Sequence, residues 1–359
     1  MFNCFSRRRL LAFALLAILL PACAGSFGAK PATPVQHDAE AALGQALAEL
    51  DAKPGDAGLL LITNAGYGQA QGHGSEAYLD IAMRATGCTP GTQSLLAIVT
   101  PAREPLWFAL CRPEARKVVF LKLQDHGFAR QVVDITPERI LTPDGWAEAA
   151  KGPLGKRTFS VVSIALSRAA GASWPMLKAA QLHDHFCPGL NAGFIVLEHL
   201  QRKLPLGQGD QYVFVGAPPF CAMDAFQILE GRTVGKKGAL GLMDVPGAGS
   251  SFAENGVQPD LIVLRVNKKQ DVCDGVVLGL DWSDVYAAAG VSEAEFSPPG
   301  GPSNPLFFVS RARMSYTLAQ LPMQDKLGYL QQLHRFSGPA SLARRVTQGG
   351  ADPYRTLPD

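Results

Sequence analysis

The chain has 359 residues, a formal net charge of +2, and 47% apolar residues. That length suits two ordinary domains or one large one, with enough apolar residues for sizeable cores. The near-neutral charge gives no global pull toward nucleic acid or a membrane surface, and the scattered glycines and prolines fit a loop-rich folded body and not a low-complexity chain.

Residues 1–24 read as a signal peptide: Arg7, Arg8 and Arg9 form a basic start, Leu10 to Leu20 an apolar stretch too short to span a bilayer, and small residues follow. "SRRRLLA" is similar to a twin-arginine export signal, with an ordinary secretory signal as the alternative. "LPAC" resembles a lipobox, which would make Cys23 a membrane tether, although Pro21 fits that pattern poorly; cleavage after Ala24 is the other outcome. Residues 25–36 read as a linker. The chain is thus expected to be exported, either periplasmic or lipid-anchored facing the periplasm.

Apolar periodicity and Gly/Pro punctuation predict a helix at 38–51, a strand at 58–63, a helix at 77–86, and strands near 94–100, 105–111 and 117–123. A short helix at 144–150, a strand at 157–165, helices at 174–182 and 190–203, a strand at 211–216 and a helix at 221–230 follow. Strands near 239–243, 260–266 and 275–280, a short helix at 282–289, a strand at 306–310 and a helix at 323–334 complete the chain. The fold class is α+β, with mixed or antiparallel sheets packed by helices.

Two segments echo each other. "AYLDIAMRATGCTPGTQSLL" (77–96) and "CAMDAFQILEGRTVGKKGAL" (221–240) align without a gap, placing Asp80 on Asp224, Gly87 on Gly231, Thr89 on Thr233, Gly91 on Gly235 and Leu96 on Leu240. A tandem repeat is expected, with the first copy degenerate over 37–155, the second over 156–300 and a C-terminal extension over 301–359. The shared Gly-x-Thr-x-Gly reads as a helix stop and tight turn, with the first glycine left-handed. "GRTVGKKG" is no phosphate-binding Walker loop, since its glycine spacing is wrong and no Ser/Thr follows the lysine.

Potential ligands concentrate in "QLHDHFCPGLNAGFIVLEHL" (181–200). In an extended segment His183, His185 and Cys187 would point to one side, and imidazole and thiolate together suit Zn²⁺ and its neighbours in softness. Pro188 and Gly189 would turn that segment into a helix whose N-terminus favours a thiolate. Cys221 opens the next helix, with Asp224 and Gln227 along its face. Beyond the signal peptide the cysteines are Cys88, Cys111, Cys187, Cys221 and Cys273, without a CxxC or a haem-attachment CxxCH. Cys111, Cys273, His126, His199 and His334 read as packing or surface.

"HDHFCPGL" followed by "CAMDAFQILEGRTVGKKGAL" resembles the FmdE-like family, named for its association with formylmethanofuran dehydrogenase, whose members carry His-Gly-His-x-Cys-Pro-Gly, Cys-x-x-Asp-Ala-x-Gln and Gly-Cys-Thr-x-Gly-Lys. The resemblance covers residues 174 to 290, with a fainter copy in 37 to 150. It implies an α+β fold, frequent dimers and a metal near His183, His185, Cys187 and Cys221, with Asp184, Asp224 and Gln227 as further ligands or supports. Asp184 replaces the family's middle glycine and Arg232 the cysteine of its Gly-Cys-Thr; the first half keeps that cysteine as Cys88, which with His73 could reach the site across a pseudo-dimer or homodimer interface. The expected cofactor is a transition metal, zinc foremost, with haem b as the alternative. The expected partner is a small-molecule or anionic ligand and not nucleic acid. The reaction stays open, a metal or oxyanion carrier beside an exported redox enzyme being the other role.

Overall fold

A computed structural model describes residues 33–243 and 249–358. The expected signal peptide, Cys23 and most of the linker lie outside the described residues. Among the described residues no helix is long and apolar enough to cross a membrane. Residues from Pro34 onward form one compact unit.

The first half runs α1 (Pro34–Glu49), β1 (Leu60–Thr63), β2 (Gln69–Ala70), β3 (His73–Gly74), α2 (Ala77–Thr86), β4 (Leu95–Ala97), β5 (Trp107–Arg112), β6 (Lys117–Gln124) and β7 (Gly127–Asp134). Four helices follow: α3 (Pro137–Ile140), α4 (Pro143–Ala150), α5 (Thr158–Ala169) and α6 (Trp174–His183). The second half comprises α7 (Pro188–Lys203), β8 (Gln211–Gly216), α8 (Ala222–Leu229), β9 (Ala239–Gly241), β10 (Leu261–Asn267) and β11 (Val272–Leu280). It ends with α9 (Trp282–Ala289), α10 (Glu293–Phe296), α11 (Pro305–Gln320), α12 (Met323–Gly328), β12 (Leu330–Gly338) and α13 (Ser341–Val346).

The protein is α+β, with two mixed sheets of five strands each. The first has the order β4-β1-β5-β6-β7 and the second, read from the matching edge, β9-β8-β10-β11-β12. In both, one edge pair is parallel and every other pair antiparallel. The agreement extends to single hydrogen bonds. Leu61 N donates to Ser94 O at 2.7 Å, and Phe214 N to Gly238 O at 3.0 Å. The turn before each edge strand closes from Ser94 N to Thr89 O at 3.1 Å and from Gly238 N to Thr233 O at 3.0 Å. Thr89 Oγ1 accepts from Thr92 N at 3.0 Å and Thr233 Oγ1 from Lys236 N at 3.3 Å. The Gly-x-Thr-x-Gly motif is therefore a structural turn. Gly87 and Gly231 both sit in the left-handed region, φ 69° and 60°, where an L side chain is strained.

Strand alternation divides the cores. In the first sheet Leu61, Phe108, Leu110 and Val119 face α1 and α2, while Leu60, Ile62, Trp107 and Phe120 face a second core shared with α5, α6 and α11. In the second sheet Phe214, Leu261 and Val276 pack on α7 and α8, through Leu200 and Phe226. Val215, Ile262 and Phe336 pack on α13 through Leu342.

Several sequence expectations change. Residues 157–165, expected as a strand, are helical, from Thr158 onward in α5: Val161, Val162 and Ile164 favour strands, and a short apolar run reads as a strand before its sparse serines show a helical period. The strand expected at 306–310 lies inside α11 for the same reason of short apolar length. The helix expected at 323–334 is only Met323–Gly328, after which β12 pairs antiparallel with β11. Part of the expected C-terminal extension thus completes the second sheet. β7 was not expected, its burial alternating only weakly, and α1 begins inside the expected linker.

Candidate metal centre

The ligand-bearing segment is not extended. His183 is the last residue of α6, and Asp184 reverses the chain in a left-handed conformation, φ 66°. Cys187 then caps α7, its Sγ accepting from Leu190 N at 3.3 Å. Pro188 takes the first helical position, where its missing N–H costs nothing. Gly189 and Gly193 let α8 approach. A Cβ at Gly189 would lie 3.2 Å from Cys221 Sγ, and one at Gly193 only 2.7 Å from Ala225 Cβ.

This turn brings His183, His185 and Cys187 together, one ligand atom of each lying within 4.8 Å of the others. His183 Nδ1 meets Asp224 Oδ2 at 2.7 Å, and His185 Nδ1 meets Asp184 Oδ1 at 2.7 Å. A carboxylate on each Nδ1 fixes the Nδ1–H tautomer and leaves Nε2 as the donor atom, the arrangement that supports histidines on metals. His183 Nε2 lies 3.5 Å from Cys187 Sγ. Gln227 Nε2 donates to Asp224 Oδ1 at 3.1 Å, steadying that carboxylate in turn.

Cys221, at the start of α8, is within hydrogen-bonding reach of both Cys187 and His183. The hydrogen bond from Cys187, followed by that from His183 and the charge of both histidines, pulls the Cys221 thiol down to about 4 against its burial. Burial and the neighbouring Cys221 hold Cys187 well above the usual thiol range. For His183, burial works downward, but Asp224 and Cys221 outweigh it and raise the imidazole to about 9. The cluster thus carries a thiolate and a proton on His183 that a cation would displace.

Residues that sequence reasoning missed hold the turn in place. Arg157 Nη1 donates to Asp184 Oδ2 at 3.0 Å, while its Nε and Nη2 grip Glu104 at 2.6 and 2.5 Å. Burial pushes the Asp184 carboxyl upward, but His185 and Arg157 win and lower it. The Ser160 hydroxyl donates to the Asp184 carbonyl, and Phe186 N donates to Ser163 Oγ at 2.9 Å. Ser160, Ser163 and Ser167 are all buried; their helical spacing within an apolar run was the signal that α5 is a helix with a polar stripe.

Cys88 and His73 stand apart from the cluster. Cys88 is packed in the core under α1 and α2, its thiol raised by burial, and His73 is exposed on the β2–β3 hairpin. Cys111 and Cys273 are fully buried packing residues, and burial raises the Cys273 thiol to about 11. All the cysteines of the described residues are free thiols.

A cavity of about 460 Å³ opens beside the cluster, with His185, Cys187 and Cys221 on its floor. Residues 182–297 match the family model FmdE, described as "Molybdenum formylmethanofuran dehydrogenase operon". Over that span the chain is FmdE-like, and the match takes in every member of the cluster. No curated protein matches the chain.

Proposed function

We propose that the chain is an exported metal-binding protein of FmdE type that holds one transition metal, zinc foremost, through His183, His185 and Cys187, with Cys221 as the fourth ligand. The observation that carries this is the pairing of both histidine Nδ1 atoms with carboxylates beside the Cys187 thiol, His183 Nε2 lying 3.5 Å from its Sγ. The donor set fits the group: two imidazoles and two thiols suit a borderline-soft divalent cation. A metal held by three of these four groups would supply Lewis-acid chemistry at the cavity, whereas one held by all four would be structural. The residues' own part is to orient it, Asp224 and Asp184 setting the tautomers and Arg157 holding Asp184. The matching strand order of the two sheets supports reading the halves as copies of one unit, the first having no equivalent of the cluster.

The test is elemental analysis with a UV–visible spectrum on the mature chain, alongside Cys187→Ser and Cys221→Ser. About one zinc per chain in the parent, and its loss from both variants with the fold intact, is the expected result. Full metal content in both variants would refute the site, and a Soret band in the parent would put haem b in its place.

A further inference from the structure

We propose that the cavity above the His/Cys cluster binds a flat, apolar monocarboxylate, its anionic group on Arg311 and its body among aromatic rings. This rests on the cluster as the functional centre but not on the metal's identity. The cavity of about 460 Å³ is of small-molecule size. Its walls carry Phe159, Phe220, Trp282, Tyr286, Phe296 and Phe308, rings that favour stacking with another flat group.

Besides His185 of the cluster, Arg311 is the one basic side chain on this lining. It is held between two rings, its guanidinium carbon 3.9 Å from the Phe296 centroid and 3.5 Å from the Phe307 centroid. Its Nη1 donates to the carbonyl oxygens of Phe296 and Phe307 at 2.7 and 2.8 Å. Among the described residues no carboxylate forms an ion pair with it, and its Nε and Nη2 make no hydrogen bond to protein groups. That leaves the side of the fork that a carboxylate takes with two parallel bonds. The other acid on the wall, Asp260, is already engaged, accepting from Leu280 N at 2.8 Å and from Trp282 Nε1 at 3.4 Å. Away from the His/Cys cluster and the already engaged Asp260, Arg311 is the one charged group among the aromatic walls, and it matches one negative charge on an apolar body; a phosphorylated ligand would bring a second charge with no partner.

Arg311 also lies near the Cys187 and Cys221 thiols, close enough for a thiolate there to act on it. If its sole role were to balance a thiolate, losing it would change metal content and leave carboxylate binding untouched.

Calorimetric titration of the mature chain with 1-naphthoate, and separately with neutral 1-naphthamide, tests the assignment. Saturable binding of 1-naphthoate, weaker by roughly tenfold or more for the amide, is expected, the loss corresponding to a charge-assisted pair. Arg311→Gln should weaken naphthoate by a similar factor and leave the amide unchanged. No naphthoate binding, equal binding of acid and amide by the parent chain, or undiminished naphthoate binding by Arg311→Gln overturns the proposal. The parent comparison requires no variant and holds even if Arg311→Gln folds poorly. Zinc measured on the same samples keeps the two readings apart: a metal-free chain that prefers the acid retains this ligand class and refutes the metal, whereas a zinc-loaded chain without preference does the reverse.

Discussion

The junction between the first strand and the following helix is closed in one half and chemically open in the other. After β1, the Thr63 hydroxyl donates to Trp107 O at 2.6 Å, and Asn64 bridges Pro105 O and Trp107 N at 3.1 and 2.8 Å. Ser75 Oγ donates to Gly68 O at 2.6 Å and accepts from Gly66 N at 3.1 Å. Every one of those polar groups has a partner inside the junction. After β8 the corresponding path is short and ends at Cys221, where the first half has Ala77. Asp80, aligned with Asp224, is exposed; Asp224 reaches His183. One strand order therefore carries both a self-satisfied junction and a ligand-bearing one, and the chemistry resides in a few positions at the strand ends.

The largest expected effect crosses between the halves. Glu104 belongs to the first, yet it anchors Arg157 and through it Asp184. Both side chains of the pair are buried, 5% and 12% exposed, so Glu104→Gln leaves the guanidinium with only Asp184 as its counter-charge and should cost roughly 1.5–3 kcal/mol. Urea unfolding would show this as a lower midpoint; an unchanged midpoint would mean that the halves are not coupled through this pair. A smaller effect sets the aligned aspartates against each other. Asp224→Asn should lower zinc affinity about 10- to 100-fold by releasing the His183 tautomer, while Asp80→Asn should leave it unaltered. Competition against a chromophoric chelator reads both, and equal responses would remove the distinction between the junctions.

The smallest effect is spectroscopic. Pairing of Thr63 with Phe108 and of Gly216 with Leu261 makes Trp107 and Asp260 positional equivalents. Burial raises the Asp260 carboxyl from 3.8 to about 6, despite the bonds from Leu280 N and Trp282 Nε1. The folded state thus holds this proton more tightly than the unfolded chain, so Asp260's contribution to stability falls as pH rises between those values. Trp282 emission should titrate with a midpoint near 6 and Trp282→Phe should abolish that transition. A flat emission profile across that range would remove the ionisation from the cavity wall.

How much of this was legible in the sequence depends on where each residue's partner lies. β8, α8 and α9 followed from local patterns because each is a short apolar or amphipathic run that ends at or beside a glycine. The FmdE-like motifs pointed to His183, His185, Cys187 and Cys221, and the match over residues 182–297 agrees with that resemblance. Hidden were the features whose causes are distant in the chain. α5 is buried in the core it shares with the first sheet, α6 and α11; β12 is a strand because β11 offers it an edge; and the turn at Asp184 is held by Arg157 and Ser160. The ligands converge through a helix end and a left-handed residue, which alternation in an extended segment does not describe.

α11 lies beyond the stretch matched by the family model, and so do Phe307, Phe308 and Arg311 on the cavity wall. Glu104, Arg157 and Phe159 precede that stretch. Grafted onto another protein, residues 182–297 would bring the imidazoles and thiols but neither the clamp behind Asp184 nor the roof over the cavity. Donor atoms are portable here; the chamber that would give them selectivity is a property of the whole body from Pro34 onward.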